Sequence, residues 1–139
     1  MLSFATSTSI RATPEAVWAI LTDAPRYPEW NTTVHGVDGE IALGHKITVR
    51  AKISERAFPV KVAALDAPRR MVWSSGMPLG LFKGERVFEL TPKDGGEVEF
   101  SMREAFTGLL AGLIGKSIPD LKPAFDEFAA CLKARAERG

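Results

Sequence analysis

The chain has 139 residues, of which 45% are hydrophobic and 25% are charged, and this length and composition predict one globular domain over residues 1–139. The formal net charge is only +1, which argues against nucleic acid as a partner, because nucleic-acid binding needs a concentrated basic face. Cys131 is the only cysteine, so an internal disulfide and a multi-cysteine metal site are excluded.

The N-terminal part of the chain predicts a strand followed by two short helices. Residues 3–11 alternate in polarity, which is typical of a strand. Thr13 then begins a helix, because its hydroxyl can cap the first turn and the proline and glutamate that follow suit that turn. Residues 16–21 are apolar nearly all round, so we expect this helix to be buried on all sides. Tyr27 and Trp30 follow a proline-containing break and predict a second, very short helix.

The middle of the chain predicts strands joined by hairpins. Hydrophobic and polar residues alternate in each segment, and Asp94 followed by Gly95 is a strong signal for a hairpin turn. The apolar, glycine-containing segments 76–84 and 107–116 are expected to be loops at the entrance of a cavity. The strands are expected at residues 33–37, 46–53, 58–64, 71–75, 85–90 and 97–106.

The last long element is predicted to be a helix over residues 117–136. Ser117 and Asp120 have the spacing of a capping box, and Pro119 suits the first helical turn. Apolar residues recur at steps of three and four and cover an arc of roughly 160°, which is wider than a surface helix needs. We therefore expect an α+β fold in which a curved antiparallel sheet of six to seven strands wraps around this helix. The residues that the sheet is expected to bury include Leu121, Phe125, Phe128 and Leu132.

Three stretches of the sequence carry a family resemblance. The sequence resembles the START-related SRPBCC superfamily in these three places. Residues 13–23 with 27–31 resemble the opening signature of the superfamily, and residues 71–85 resemble its central strand pair. Residues 103–108 resemble the end of its last strand. That superfamily includes polyketide cyclase/dehydrase proteins and the birch-pollen allergen type. The resemblance implies a helix-grip fold, in which a seven-stranded antiparallel sheet surrounds the C-terminal helix and leaves a cavity. Such cavities hold lipids, sterols, polyketides or other apolar molecules, although a few members are enzymes and others serve protein partners.

Two charged residues fall on the apolar faces of the long hairpin. By strand parity Arg86 shares a face with Phe88, and Glu104 shares a face with Phe100 and Met102. The hairpin register places the two charges nearly opposite or one step diagonal. An inward charge is costly unless it is paired, so the two residues either form an internal ion pair or anchor the polar group of a ligand. A general acid or base role for Glu104 would need a raised pKa, which pairing with Arg86 opposes.

The other candidate site residues are aromatic or polar side chains expected at the same cavity. Aromatic residues more often form packed core than ligand sites, but their number here keeps ligand binding open. His35 and His45 are expected to be solvated loop residues. The sequence has no metal-ligand cluster, phosphate-binding glycine loop or nucleophile elbow, so no cofactor, metal or catalytic residue is predicted. Tyr27 and Asn31 could supply further donors. The predicted ligand-binding residues are Trp30, Trp73, Ser75, Arg86, Phe88, Phe100, Met102, Glu104 and Phe125.

Three classes of function are compatible with these features. The first is binding of a small hydrophobic or amphipathic molecule without turnover. The second is an enzyme of the cyclase, dehydratase or hydrolase type that uses the same cavity, with Arg86, Glu104 or Tyr27 placed on the substrate. The lack of a base–nucleophile set counts against it. The third is a domain that docks on a protein partner or on a second copy, for which an exposed apolar patch is expected. With no secretory leader pattern and no run of about 18 apolar residues, we expect a cytoplasmic protein without stable membrane insertion.

Overall fold

The computed structural model describes residues 2–52 and 57–138, which form an antiparallel sheet, four α-helices and two short 3-10 turns. The strands are β1 Leu2–Ile10, β2 Val34–Asp38, β3 Lys46–Ala51, β4 Ala57–Asp66, β5 Arg70–Met77, β6 Phe82–Lys93 and β7 Glu97–Thr107. The helices are α1 Pro14–Leu21, α2 Tyr27–Trp30, α3 Ala111–Ile114 and α4 Lys122–Arg138, and the 3-10 turns are Ala24–Arg26 and Gly115–Ser117. The seven strands lie in the order β1-β7-β6-β5-β4-β3-β2, which confirms the predicted α+β sheet around a C-terminal helix. Ile53, which the sequence places in β3, lies outside the described residues.

Helix α1 begins where the sequence predicts. Thr13 has an extended backbone, and its hydroxyl oxygen accepts a hydrogen bond from the Ala16 amide at 3.1 Å. The expectation that this helix is buried on all sides is wrong, because Val17 and Leu21 are buried whereas Ala19 is exposed. Only one face of α1 packs against the core. Within the described residues the other face meets no neighbouring element, so its apolar residues stay exposed.

The segment 76–84, predicted as a loop, is mostly strand. β5 continues to Met77 and β6 begins at Phe82, so the turn between them contains only residues 78–81. Gly76 permits this pairing, because its φ of 134° is open to glycine and a Cβ at this position would clash with the Phe82 carbonyl oxygen. The loop prediction failed because the strand passes through a conformation that most residues avoid.

Helix α4 begins at Lys122 and not at Ser117. The Ser117 hydroxyl donates to the Ile114 carbonyl oxygen at 2.7 Å within the preceding 3-10 turn, so it does not cap α4. Asp120 takes the capping role, since its Oδ1 accepts a hydrogen bond from the Lys122 amide at 3.0 Å. The predicted capping box is therefore wrong, and Pro119 precedes the helix. The segment 107–116, predicted as a loop, contains α3 and the start of this 3-10 turn.

The buried face of α4 agrees with the predicted pattern. Phe125, Phe128 and Leu132 are buried, and Leu121, just before the helix, is half-buried. Within the described residues, none of the helices has both the length and the apolar character that crossing a membrane requires.

Hydrogen bonds fix both ends of α4 to the N-terminal strand region. Near the start of the helix, the Thr6 hydroxyl donates to Asp126 Oδ1 at 2.7 Å. Near its end, the Arg11 amide donates to Glu137 Oε2 at 2.9 Å. The helix therefore lies along β1, and its buried face is directed at the concave side of the sheet.

Candidate ligand-binding site

The side chains of β5, β6, β7 and β1 form rows across the concave face of the sheet. The register pairs Arg86 on β6 directly with Glu104 on β7. Trp73 on β5 and Phe4 on β1 complete the same row, which we call the charged row. A second row lies on one side of the charged row, toward the aromatic core described below, and consists of Met71, Phe88, Met102 and Thr6. A third row lies on the opposite side of the charged row and consists of Ser75, Gly84, Phe106 and Leu2.

Arg86 and Glu104 form an ion pair at the centre of the charged row. Arg86 Nε donates to Glu104 Oε1 at 2.7 Å, and the two side chains are 21% and 13% exposed. This confirms the pairing predicted from strand parity. Among the described residues, the two terminal nitrogens of Arg86 donate to no other group, so they are available to an acceptor on a ligand.

Phe125 of α4 covers the guanidinium of Arg86. The Cζ atom of Arg86 lies 4.8 Å from the centre of the Phe125 ring, which is within cation–π distance. The ring of Phe4 lies 6.2 Å from that of Phe125. The guanidinium is thus held between a carboxylate and an aromatic face, and the direction of its donors is fixed.

Tyr27 is buried close to the charged row. Its hydroxyl donates to the Leu21 carbonyl oxygen at 2.6 Å. Burial raises the pKa of Tyr27 far above its ordinary value, and the positive charge of Arg86 opposes that rise. The phenol is neutral and its hydrogen is engaged, so Tyr27 is not poised to transfer a proton or to donate to a ligand.

On the core side of the charged row, aromatic rings fill the space between the sheet and α4. The Phe128 ring lies 5.5 Å from that of Trp30, 6.1 Å from that of Phe88 and 6.1 Å from that of Phe100. Trp73 meets Phe88 edge-on at 4.7 Å. This end of the interior is therefore a packed core. The predicted ligand residues that belong to it are Trp30, Phe88, Phe100 and Met102.

Two open clefts lie outside this aromatic interior. One has a volume of about 270 Å³ and lies between Leu2 and the segment that contains α3. The other has a volume of about 480 Å³ and is lined partly by Glu89 and Arg103. Met102 is the only predicted ligand residue that lines either of the two. The smaller cleft is the more relevant to Arg86, because Leu2 belongs to the row next to the charged row.

Ser75 lies beside the charged row where Gly84 leaves room. A Cβ on Gly84 would lie 3.2 Å from Ser75 Oγ and 3.2 Å from the Phe106 ring, which is tighter than ordinary packing. Glycine at this position therefore allows the serine hydroxyl and the aromatic ring to approach each other across β6. Ser75 thus lies in the row next to that of Arg86 and Glu104.

The described residues offer few groups for acid–base or metal chemistry. His35 and His45 are exposed, as predicted, but His35 lies in β2 and not in a loop. His45 Nδ1 lies 3.7 Å from Glu40 Oε1, an acid that the sequence reasoning did not consider. Cys131 is half-buried, with its Sγ 3.3 Å from the Thr32 hydroxyl. No group of three or more histidine, cysteine or acidic residues in the described part of the chain could hold a metal ion. The arrangement at the charged row is suited to holding a polar group.

Sequence reasoning missed Phe4 as a member of the site. Alternating polarity places Phe4 on the apolar face of β1, but it does not reveal that β1 pairs with β7. That pairing sets Phe4 directly opposite Glu104. A prediction of the strand order would have found it.

Comparison with known proteins identifies the family. The profile of the family described as polyketide cyclase / dehydrase and lipid transport matches residues 1–137. The chain belongs to this family. Its membership confirms the START-related resemblance that the sequence suggested. No curated protein matches the sequence.

Solved structures share the fold at low sequence identity. Hypothetical protein jhp0584 from Helicobacter pylori is 11% identical with a TM-score of 0.79, and the match covers 97% of this chain and 88% of that protein. A START superfamily protein from Mycobacterium smegmatis is 15% identical with a TM-score of 0.69, with 98% and 97% covered. The di-domain ARO/CYC protein BexL from the BE-7585A biosynthetic pathway is 14% identical with a TM-score of 0.73, with 99% of this chain and 47% of BexL covered. At these identities, the likeness establishes the fold alone.

Proposed function

We propose that the protein binds a small amphipathic molecule between α4 and the sheet at the charged row, without changing it chemically. The observation that carries this proposal is the ion pair of Arg86 and Glu104 on the concave face of the sheet, with two arginine nitrogens left over. A partly buried ion pair adds little net stability compared with apolar residues of similar volume. A fixed guanidinium, in contrast, suits the carboxylate or carbonyl group of a ligand.

The apolar part of the ligand would lie toward Leu2 and Phe106, where α3 covers the end of the sheet. The cleft there has a volume of about 270 Å³, slightly below the range of about 300–1,000 Å³ that is usual for ligand pockets. Because α3 has no buried residue, displacing it would expose little apolar surface and would enlarge the cleft. The proposed ligand contacts remain those predicted from the sequence, with Trp73, Ser75, Arg86, Glu104 and Phe125 around the ligand and the core residues Trp30, Phe88, Phe100 and Met102 beneath it. A cytoplasmic location and a single domain over residues 1–139 also remain predictions.

Displacement of a fluorescent fatty acid tests the proposal. We expect the wild-type protein to bind the probe with a Kd in the micromolar range or lower, and Arg86→Met to weaken binding by roughly tenfold or more, because a charge-assisted hydrogen bond is lost. Arg50→Met is the matched control, since Arg50 forms an exposed ion pair with Asp38 at 2.6 Å on other strands. Absence of binding by the wild-type protein would rule the proposal out, and equal binding by Arg86→Met would remove Arg86 from the site.

Native mass spectrometry provides a second test that does not depend on the choice of probe. Protein purified from its own host should carry a retained small molecule of defined mass. The mass would identify the chemical class of the ligand directly. Loss of the retained molecule in Arg86→Met but not in Arg50→Met would connect it to the charged row.

Exposed apolar side chains support a second candidate function, docking on a protein partner or on a second copy. Leu79 is 92% exposed and Leu109 is 84% exposed. The Leu109 amide donates to the Gly80 carbonyl oxygen at 3.1 Å, so the turn between β5 and β6 and the segment after β7 lie together. Solvated turns rarely carry several large apolar side chains. The exposed apolar residues of this region, which we call the apolar tip, are Met77, Leu79, Leu109 and Leu113.

Sedimentation over a range of protein concentrations tests whether a second copy docks there. If the apolar tip forms a homodimer, the wild-type protein should associate as its concentration rises, and Leu79→Ser combined with Leu109→Ser should stay monomeric. Leu43→Ser is the control, because Leu43 is also exposed but lies between β2 and β3. A wild-type protein that is monomeric at every concentration would exclude the homodimer.

A further inference from the structure

The two edge strands of the sheet differ in how well they are protected against pairing with another chain. β2 has five residues, contains the charged Asp38 and has a register shift between Val34 and Gly36, and each of these features discourages a further strand. β1 has nine residues, none of them charged or proline, and its register with β7 is unbroken. An uncharged, regular edge strand of this length is suited to pairing with a further strand.

The backbone groups of alternate β1 residues point away from β7. The Ser9 carbonyl oxygen accepts a hydrogen bond from Lys133 Nζ at 2.6 Å, so the backbone groups of Ser9 lie on the outer edge of the strand. Ser3, Ala5 and Ser7 have the same parity and are exposed. Among the described residues, the outward backbone groups of these three have no hydrogen-bond partner. We call these three residues the β1 edge.

Open space adjoins the β1 edge. The cleft of about 480 Å³ is lined by Ala5, Thr6 and Ser7 of β1 and by Lys122 and Asp126 of α4, and the rest of its lining comes from β6 and β7. The helix is attached to the concave side of β1 through the Thr6 hydroxyl and Asp126, which leaves the backbone of the edge uncovered. A further strand therefore has room beside β1.

The β1 edge is complementary to a second copy of itself. In an antiparallel pair, residues that point toward each other exchange both of their backbone hydrogen bonds. If a two-fold axis passes through Ala5, this residue meets Ala5 of the second copy, and Ser3 of each copy meets Ser7 of the other. All three outward residues are then paired. Their side chains are small, so they do not obstruct the approach of the two strands.

Two charges on α4 extend this complementarity. Lys122 Nζ lies 2.7 Å from Asp126 Oδ1, the atom that also accepts from the Thr6 hydroxyl. The helix runs in the same direction as β1, as its two attachments to the strand region show. One helical turn advances about 6 Å, or roughly two strand residues, so Lys122 is level with Phe4. A two-fold axis at Ala5 sets Phe4 opposite Thr6 of the second copy, and it therefore brings Lys122 of each copy toward Asp126 of the other.

We propose that two copies of the protein pair in antiparallel fashion through the β1 edge. The two seven-stranded sheets then form one continuous sheet, and Lys122 and Asp126 make ionic contacts across the two-fold axis. This surface shares no residue with the apolar tip and does not depend on a ligand at the charged row. The pairing also removes the one long edge that the described sheet leaves without protection.

Sedimentation at increasing protein concentration, with Ala5→Pro as the variant, tests the strand pairing. We expect the wild-type protein to dimerise with a Kd in the micromolar range. Proline at position 5 removes an outward N–H and no bond to β7, so Ala5→Pro should keep its circular dichroism spectrum and dimerise at least about tenfold more weakly. Leu79→Ser combined with Leu109→Ser is the control, which should dimerise like wild type. A wild-type protein that is monomeric up to about 1 mM would overturn the proposal, and so would a dimer that persists in Ala5→Pro but is lost in the control.

An exchange of charges between copies provides a second test that leaves β1 unchanged. Lys122→Glu and Asp126→Lys should each dimerise about tenfold more weakly than wild type, because both symmetry-related contacts become repulsive. An equal mixture of the two variants should form a heterodimer, because the new acid of one variant faces the new lysine of the other. Arg50→Glu and Asp38→Lys form the control set, since this exposed pair lies on β2 and β3, and they should associate like wild type alone or mixed. A mixture of the Lys122 and Asp126 variants that associates no better than either variant alone would overturn the two-fold arrangement.

Discussion

The two ends of the space between α4 and the sheet are built differently. At one end, Phe88, Phe100 and Phe128 pack ring against ring and are almost inaccessible to solvent. At the other end, the row next to the charged row contains Gly84, and its cover is α3, a helix without a buried residue. The difference arises because α4 begins only at Lys122, so the long helix does not extend over the last row of the sheet.

The comparison indicates how one small fold can combine stability with a site. The aromatic end provides most of the packing, and the end near α3 contributes little packing, so its residues are available to the proposed ligand. Substitutions at the two ends should therefore have separable effects, with large losses of stability at one and changes in binding at the other.

The largest expected effect is at the aromatic end. Phe128→Ala should lower the free energy of unfolding by about 3–5 kcal/mol, because a large buried ring is replaced by a cavity among several other rings. Phe82→Ala is the counterpart at the other end, where Phe82 is half-buried and stacks on Phe106 at 5.8 Å, and it should cost less than about 2 kcal/mol. Denaturant unfolding of both variants measures the difference. Equal losses would mean that the two ends do not differ in packing.

The next effect concerns the ion pair at the boundary between the two ends. Glu104→Gln or Arg86→Met alone should cost about 2–3 kcal/mol, since each leaves a partly buried charge without its partner, and the double variant should cost less than the sum. A double-mutant cycle on the exposed pair of Arg50 and Asp38 is the control, and the coupling free energy between these two residues should stay below about 1 kcal/mol. Additive losses at Arg86 and Glu104 would show that the pair is effectively solvated.

Acid should weaken the attachment of α4 at both of its ends. Hydrogen bonds from Lys122 and then from Thr6 lower the pKa of Asp126, and hydrogen bonds from the Arg11 amide and then from Lys133 lower the pKa of Glu137. A carboxylate with a lowered pKa in the folded state stabilises the fold at pH values above its ordinary pKa of about 4, and this stabilisation is lost as the pH falls through the lowered pKa.

Unfolding measured between pH 7 and pH 2 tests this attachment. The wild-type protein should lose more stability toward acid than the double variant Asp126→Asn, Glu137→Gln, which has no carboxylate to protonate at these positions. Single variants would show which end of α4 contributes more. Identical acid profiles for wild type and double variant would contradict the role of both hydrogen bonds.

The smallest expected effect is at the turn between β5 and β6. Leu79 has a φ of 61°, in the left-handed region that disfavours side chains, and it is almost fully exposed. Leu79→Gly should therefore raise the free energy of unfolding by about 0.5–1 kcal/mol. Leu43→Gly, at an exposed leucine outside that region, should lower stability instead. A loss of stability in Leu79→Gly would imply that the leucine side chain makes stabilising contacts.

The sequence predicted most of the fold because hydrophobic periodicity and turn signals act locally. The Asp94–Gly95 turn fixed the register of β6 and β7, and this register placed Arg86 opposite Glu104. Strand parity was sufficient to predict an inward ion pair, because the side chains of a strand alternate between only two faces.

The features that were not predicted depend on a choice between two possible capping residues or on contacts between residues far apart in the sequence. Ser117 and Asp120 could both cap a helix, and only the structure shows that the Ser117 hydroxyl is engaged by Ile114. The depth to which Phe128 enters the interior decides whether space remains there, and periodicity gives no depth. The indole nitrogens of Trp30 and Trp73, which are buried and have no hydrogen-bond partner among the described residues, were equally invisible, because a missing partner is a property of three-dimensional neighbours.

The position of β1 in the sheet has a consequence for the synthesis of the chain. β1 pairs only with β7 within the described sheet, so its partner is translated roughly 100 residues after it. At about 5–20 residues per second, the first strand is without its partner for about 5–20 seconds on the ribosome. During that time its backbone groups and its apolar side, which includes Phe4 and Ile10, are open to other chains. Ribosome-bound chains that end before residue 97 should therefore recruit chaperones, and chains that include β7 and α4 should release them.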